Sequence, residues 1–340
     1  MLLIGDIGGT KTILAAFTQE SGARAPLKEA RFNSQKYVSL EEVITEFLRD
    51  NPQLPPVEKA VFGVAGPVIR GEASVTNLPW FINGKQIQDV FHIHSVTLLN
   101  DLTATAHAIP HLQVNEVYTL HEGEANLHGN IGVIAPGTGL GEAFLIYQPD
   151  GYQVHPSEGG HASFAPTSAI EVELLSYLME RYEHVSYERV CSGIGIPNIY
   201  AFLKESGYYQ EPAWLTKQLA ATEQPTAIIM QAAFSTDESQ CAEICTATID
   251  LFVSILGNEA GNLAMKVMAT GGIYLGGGIP PRILSRLKGD LFLDTLHSKG
   301  RFSEILAKIP VKVILNANAA LLGATYYGLH QHVLLRHQHR

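Results

Sequence analysis

Residues 2–17 read LLIGDI, GGT, KTILAAF: two apolar runs of strand length on either side of a turn built from small residues. Such a pattern predicts strand, tight turn, strand, with glycine supplying the backbone freedom the turn needs. The same theme returns at 131–147, IGVIAPGTGLGEAFLIY, and lining up the two puts Gly137-Thr138-Gly139 where Gly8-Gly9-Thr10 stood. Two such openings in one chain suggest two related α/β halves. Any buried hairpin with a glycine turn would look alike, so the repeat alone leaves that alternative open.

Strands and helices alternate between the two openings, which implies a parallel or mixed sheet. SLEEVITEFLRD spaces Leu40, Val43, Ile44, Phe47 and Leu48 on one helical face, with Ser39 and Glu42 as a capping box. Pro55-Pro56 closes that segment, because the pair cannot continue a helix. KAVFGVAGPV and SVTLLND read as buried strands, and a helix starts directly after the second, at LTATAHAI. Ser168 and Glu171 form a second capping box for a helix running to Tyr182. Residues 224–270 are mostly helical, with Leu251, Phe252, Ile255, Leu256 and Leu263 in the core; TGGIYLGGGIPP is a strand entering a triple-glycine turn, and NAALLGATYYGLHQHVLL is helical.

A length of 340 residues fits about two domains. Only 16% of residues are charged, against about 25% in a typical soluble domain, which favours broad buried sheets over long solvated helices. The formal charge of −10 removes the electrostatic footprint for nucleic acid polymers and for anionic lipid. It does not exclude a nucleotide, which backbone N–H groups and Mg2+ can hold in an acidic protein. Cys191, Cys241 and Cys245 are too few for a disulfide framework; the last two, four apart in a helix-like stretch, could form a metal pair but read more simply as buried reduced thiols. The N-terminus has neither the length nor the basic flank of a signal peptide, and no apolar run reaches about 18 residues, so a soluble cytoplasmic protein is expected. His330, His332, His337 and His339 cluster at the C-terminus, where a solvated tail accounts for them more simply than a metal site.

Three glycine turns follow strands: Gly8-Gly9-Thr10, Gly137-Thr138-Gly139 and Gly276-Gly277-Gly278. Neither the P-loop G-x-x-x-x-G-K nor the dinucleotide G-x-G-x-x-G occurs, since position 142 is glutamate. Each turn could be purely structural. Together, two bearing a threonine hydroxyl and the first preceded by Asp6, they point to a nucleotide held between two lobes. Asp6 then sits beside the phosphates, suited to indirect Mg2+ ligation. Asp101 stands between a strand and a helix, at the edge where α/β proteins bind ligands, although a plain helix N-cap would explain it equally well. Asn100 beside it adds a donor and an acceptor for a polyhydroxylated ligand. Glu158 and His161 flank a glycine pair in SEGGH and could read sugar hydroxyls, while Glu188, taken alone, reads as a solvated helix residue.

In their order and spacing, GDIGGTKT (5–12), VTNLPW (75–80), LLNDLTATAHAIP (98–110), APGTGLGEA (135–143), SEGGHASFAP (157–166), YERVCSG (187–193), GNEAGNLA (257–264) and YLGGGIPPRI (274–283) resemble the bacterial ATP-dependent glucokinases of the actin/hexokinase superfamily. The resemblance runs from Gly5 to about Gly328. It is to the group outside the repressor/ORF/kinase (ROK) family, because no cysteine-rich zinc motif follows His161. It implies a two-lobed α/β fold of the actin-like ATPase (ribonuclease H-like) type with an interlobe cleft. Residues 1–109 plus 317–340 would form a small domain and 110–316 a large one. Asp101 is then the catalytic base for the 6-hydroxyl of glucose, with Asn100, Glu158, His161 and Glu188 completing the sugar site. Gly5, Asp6, Ile7, Gly8, Gly9 and Thr10 cradle the ATP phosphates, Gly137, Thr138 and Gly139 face them, and Gly276, Gly277 and Gly278 lie near the adenosine. Lys11 stands where many members carry asparagine and is left out of that set. Glucose, ATP and Mg2+ are the expected ligands and a homodimer the expected assembly. The rivals are a hexose kinase of other sugar or donor preference, a non-catalytic sugar sensor, and an acyl-phosphate kinase. The sensor would need a DNA-binding extension, for which neither the early first strand nor the net charge provides. The acyl-phosphate kinase has no use for paired EGGH and ND motifs.

Overall fold

A computed structural model of the chain describes residues 1–337, with side chains described to residue 330. The tail histidines His332, His337 and His339 lie outside the described side chains. The chain divides into two compact units, Met1–Gln113 with the chain from Asn316 onward, and Val114–Leu315.

In the first unit, β1 (Leu2–Ile7) and β2 (Lys11–Phe17) form the expected antiparallel hairpin. Strand β3 (Lys28–Asn33) extends it antiparallel, while β4 (Lys59–Val64) joins the other edge of β1 in parallel. Three short strands, β5 (Val68–Ile69), β6 (Glu72–Ser74) and β7 (Phe81–Asn83), make a separate small sheet. The main sheet ends in β8 (Ser95–Asn100), giving the order β3-β2-β1-β4-β8. Its central strands are apolar at successive residues because both faces are covered. Helices Leu40–Arg49 and Gly84–Phe91 contribute Val43, Phe47 and Ile87 to one face. Helices Asp101–Ala108 and Ala319–His337 contribute Ala104, Leu321 and Ala324 to the other.

The second unit repeats that plan. Strand β9 (Val117–His121) is an added antiparallel edge; β10 (Ile131–Pro136) and β11 (Leu140–Gln148) are the second hairpin, and β12 (Gly151–Ser157) extends it. Strands β13 (Gly272–Leu275) and β14 (Val311–Ile314) continue in parallel from β10. The order β12-β11-β10-β13-β14 has the same connectivity and strand directions as the first sheet. The echo in the sequence is therefore an architectural repeat and not a coincidence of glycine turns.

Several local expectations need correction. Ser39 is the N-cap residue of the first helix, but its side chain makes no capping bond; Glu42 Oε2 instead accepts from the backbone N–H of Val38, at 3.0 Å, one residue further back. At the other box, Ser168 does accept from Glu171 N–H, yet Glu171 Oε2 takes the N–H of Thr167, at 2.7 Å. In both, the glutamate side chain overshoots the cap. Of the thiols, Cys191 and Cys245 are buried but Cys241 is exposed, because it precedes the helix Glu243–Val267. That helix has 25 residues, so the low charge content does not mean short helices; its apolar residues are buried around much of its circumference. Among the described residues, no helix is long and apolar enough to cross a membrane.

Candidate active site

The phosphate-type turn of the first unit is closed by groups that the motif does not contain. Gly8 N–H donates to Lys11 O at 3.0 Å, Ser34 Oγ donates to Gly8 O at 2.8 Å, and Ser34 N–H donates to Thr10 O at 3.0 Å. Gly9 is obligatory for close approach, since a Cβ there would lie 2.6 Å from Thr76 O. This contact explains the VTNLPW segment: it is the wall on which the turn rests, with Asn77 in the left-handed region at φ 63°. Among the described residues, the N–H groups of Gly9 and Thr10 make no hydrogen bond. They remain free as donors for an anion.

Asp6 is the penultimate residue of β1 and Asp101 follows β8, with β4 between them carrying Gly63 at the position paired with Asp6. Both carboxyls are pulled from water, and burial pushes each above the ordinary carboxylate range. For Asp6 the nearby Asp101 charge adds to burial and Lys11 opposes, leaving it at about 6. For Asp101, hydrogen bonds from the Leu102 N–H and from Asn100 oppose the burial. The helix N-cap is Asn100 and not Asp101. Asn100 Oδ1 accepts from the N–H groups of Leu102 and Thr103 at 3.0 and 3.3 Å, and its Nδ2 donates to Gly66 O at 3.1 Å. Asp101, as the first helical residue, takes one N–H from Leu102 at 2.8 Å and sits at the positive end of the helix.

The second unit gathers its candidates around the start of β11. The Gly137–Gly139 turn is tied by Gly193 N–H to Gly137 O at 2.7 Å. Glu188 is not a free helix residue: its Oε2 accepts from Leu140 N–H at 3.0 Å and would touch a Cβ on Gly139. Gly160 packs on the carbonyl of Leu140, so the SEGGH loop lies directly on the strand, with Glu158 and His161 exposed at its two ends. The third glycine turn lies against the second, Gly276 N–H donating to Ile134 O and Ile279 N–H to Pro136 O, with Gly277 at φ 80°. Among the described residues, Thr138, Gly139, Gly277 and Gly278 also keep unspent N–H groups. Within each unit, then, the predicted residues are neighbours.

Motif reading missed two groups that hold these elements. Ser34 lies far in sequence from the turn it closes and has no motif around it. The buried glutamates Glu142 and Glu259 sit inside the quoted segments APGTGLGEA and GNEAGNLA, but only their burial, at 2% and 0% exposure, marks them out.

Comparison with known proteins agrees with this geometry. The family model described as Glucokinase matches residues 3–331. The glucokinase of Nostoc punctiforme is 38% identical over 95% of this chain and 97% of its own. A crystal structure of a glucokinase from an Antarctic psychrotroph superposes with a TM-score of 0.80 at 32% identity, covering 97% of this chain and 98% of that one. The ROK glucokinase of Streptomyces griseus, solved with glucose and AMPPNP, shares the fold at a TM-score of only 0.59 and 19% identity, over 97% of this chain and 99% of its own. The chain therefore belongs to the glucokinase family, outside the ROK group, as an enzyme of the actin-like ATPase fold that phosphorylates glucose.

Proposed function

We propose that the reaction is transfer of the γ-phosphoryl group of ATP to the 6-hydroxyl of D-glucose, with Asp101 as general base. The observation that carries this reading is the pair of partly desolvated carboxyls, Asp6 near the end of β1 and Asp101 just after β8 of the same sheet, beside a turn with unspent N–H donors. Phosphoryl transfer requires positioning and charge neutralisation more than covalent chemistry. Asp101 is suited to accept the hydroxyl proton as the oxygen attacks in line, and burial makes it a better base than a solvated aspartate. In the first unit Gly5 to Thr10 would hold nucleotide phosphates through backbone donors, and in the second the glycine turns at 137–139 and 276–278 would offer the nucleotide donors of the same kind. Mg2+ would arrive with the triphosphate, and the raised Asp6 carboxyl fits indirect ligation of it, because a cation relieves the repulsion between the two acids. Glu158 and His161, exposed on their loop in the second unit, would read sugar hydroxyls, as Asn100 would in the first. Glu188 would orient the Thr138 turn through Leu140 and offer its second oxygen to the sugar. We read the enzyme as a cytoplasmic homodimer of two lobes, as the resemblance implies.

The test is a coupled assay of ADP release with ATP and a panel of hexoses, on the wild type and Asp101→Asn. Glucose-dependent release is expected, with kcat down about 10²- to 10⁴-fold in the variant while the fold is kept. Near wild-type turnover in Asp101→Asn would remove the base assignment, and no sugar-dependent release would remove the reaction.

A further inference from the structure

Beneath the SEGGH loop lies a buried group that the proposed chemistry does not use. The side chain of Glu142, on β11, lies against that of Glu259 from the helix Glu243–Val267. Glu259 is fully provided for as a carboxylate: Oε1 pairs with Lys266 Nζ at 3.2 Å, and Oε2 accepts from Asn262 Nδ2 at 2.8 Å. Glu142 is not. Its Oε1 is buried and, among the described residues, receives no hydrogen bond. Its Oε2 packs on Gly159, where an added Cβ would collide with it. Lys299, the other cation in the cluster, spends its ammonium on the amide oxygens of Asn258 and Asn262. The remaining titratable neighbours, Tyr187 and Cys191, both feel the Glu259 charge. Two carboxyls face each other with one paired cation, an arrangement that is satisfied by a single shared proton. The donors on Glu259 leave that proton to Glu142.

We propose that Glu142 is a positioning residue for the sugar site: as a neutral carboxylic acid it donates to Glu259, and so holds Gly159 and the loop bearing Glu158 and His161 against β11. This rests on the assignment of Glu158 and His161 to the sugar. Burial first and the Glu259 charge second push the Glu142 carboxyl up to about 8. Ionising it sets two carboxylates against each other, and the side open to movement is the glycine loop. Tyr187, which also meets Glu259, precedes Glu188 in the chain, so the pair underlies both sides of the proposed sugar site.

The experiment compares wild type, Glu142→Gln and Glu142→Leu between pH 6 and pH 9.5, following KM for glucose and for ATP separately. In the wild type, KM for glucose should climb above about pH 8, by up to tenfold per pH unit, while KM for ATP stays level. Glu142→Gln, which keeps the donor and the size of the neutral acid, should bind glucose as the wild type does at pH 7 and lose the alkaline climb. Glu142→Leu should hold KM for glucose roughly tenfold above the wild-type pH 7 value, with no alkaline climb, the loss of one buried hydrogen bond. An unchanged alkaline climb in Glu142→Gln would overturn the proposal, as would a Gln variant that misfolds or is as impaired as Leu. Infrared spectroscopy reads the proton without reference to sugar. A carboxylic-acid carbonyl band at pH 7, present in the wild type and missing from Glu142→Gln, is expected, and its absence from the wild type overturns the proposal even if His161→Ala behaves as a sugar-site variant. If His161→Ala leaves glucose binding unchanged, the sugar-site reading fails while the band still decides the state of Glu142.

Discussion

Gly323 sits where the C-terminal helix Ala319–His337 crosses the helix that begins at Asp101. A Cβ at Gly323 would lie 1.8 Å from the carbonyl oxygen of Ala104 and 2.7 Å from the N–H nitrogen of Ala108. Ordinary contact begins at 3.4 Å, so Gly323→Ala must part the two helices by roughly 1.6 Å. Both obstructing atoms are backbone, and no rotamer change can relieve them. Overpacking of this kind costs about 1–3 kcal/mol, and the absence of a movable side chain argues for the upper end. Alanine returns about 1 kcal/mol through its helix propensity, leaving a net loss of about 2 kcal/mol. For a unit of this size that lowers the melting temperature by about 4–8 °C. Scanning calorimetry measures it, and the transition of the first unit is the one that should move. Ala104 is one turn from Asp101, so the same variant should also lose turnover with glucose in the coupled assay. An unchanged or raised melting temperature would mean that the crossing yields easily and that propensity outweighs the clash.

Gly9→Ala drives its Cβ to 2.6 Å from Thr76 O, so KM for ATP should rise by about tenfold or more while glucose binding by calorimetry stays level; the reverse pattern would separate this turn from the nucleotide. His161→Ala should raise KM for glucose and leave KM for ATP nearly unchanged in steady-state kinetics, and a shift in KM for ATP instead would move the sugar site elsewhere. His107 is half-buried and lowered from 6.5 to about 4, first by desolvation and then by His111 and His330. Below pH 6.5 the unfolded chain takes a proton that the folded one refuses, so this residue's contribution is lost as pH falls towards 4. His107→Gln should therefore flatten the fall of melting temperature across that window, and a slope equal to the wild type's would refute the assignment.

The hairpins at 2–17 and 131–147, the strand entering Asp101 and the helix at 40–49 were all legible because their signals are local. Apolar alternation, a glycine turn and a capping residue each act within a few positions. The failures share one cause. Glu42 and Glu171 stand at capping-box spacing, but side-chain torsions decided which N–H they reached. Asp101 looked able to cap, and only the backbone path at the end of β8 made Asn100 the cap and left Asp101 to the site. Glu188 read as solvated because its partner, Leu140 N–H, lies in a distant part of the chain.

The sequence by itself determined the two hairpins, the glycine turns that end their first strands, and the acids and histidine that the family resemblance assigns to sugar and nucleotide; that the hairpins open two related halves was decided by the sheet topology. Only the tertiary structure decided what supports them: Ser34 closing the first turn, Gly323 admitting the last helix, and Glu142 meeting Glu259 under the sugar loop. Local preferences are written in neighbouring residues. A buried contact between residues far apart in the chain depends on strand register and helix packing, and it exists only once the sheets have formed.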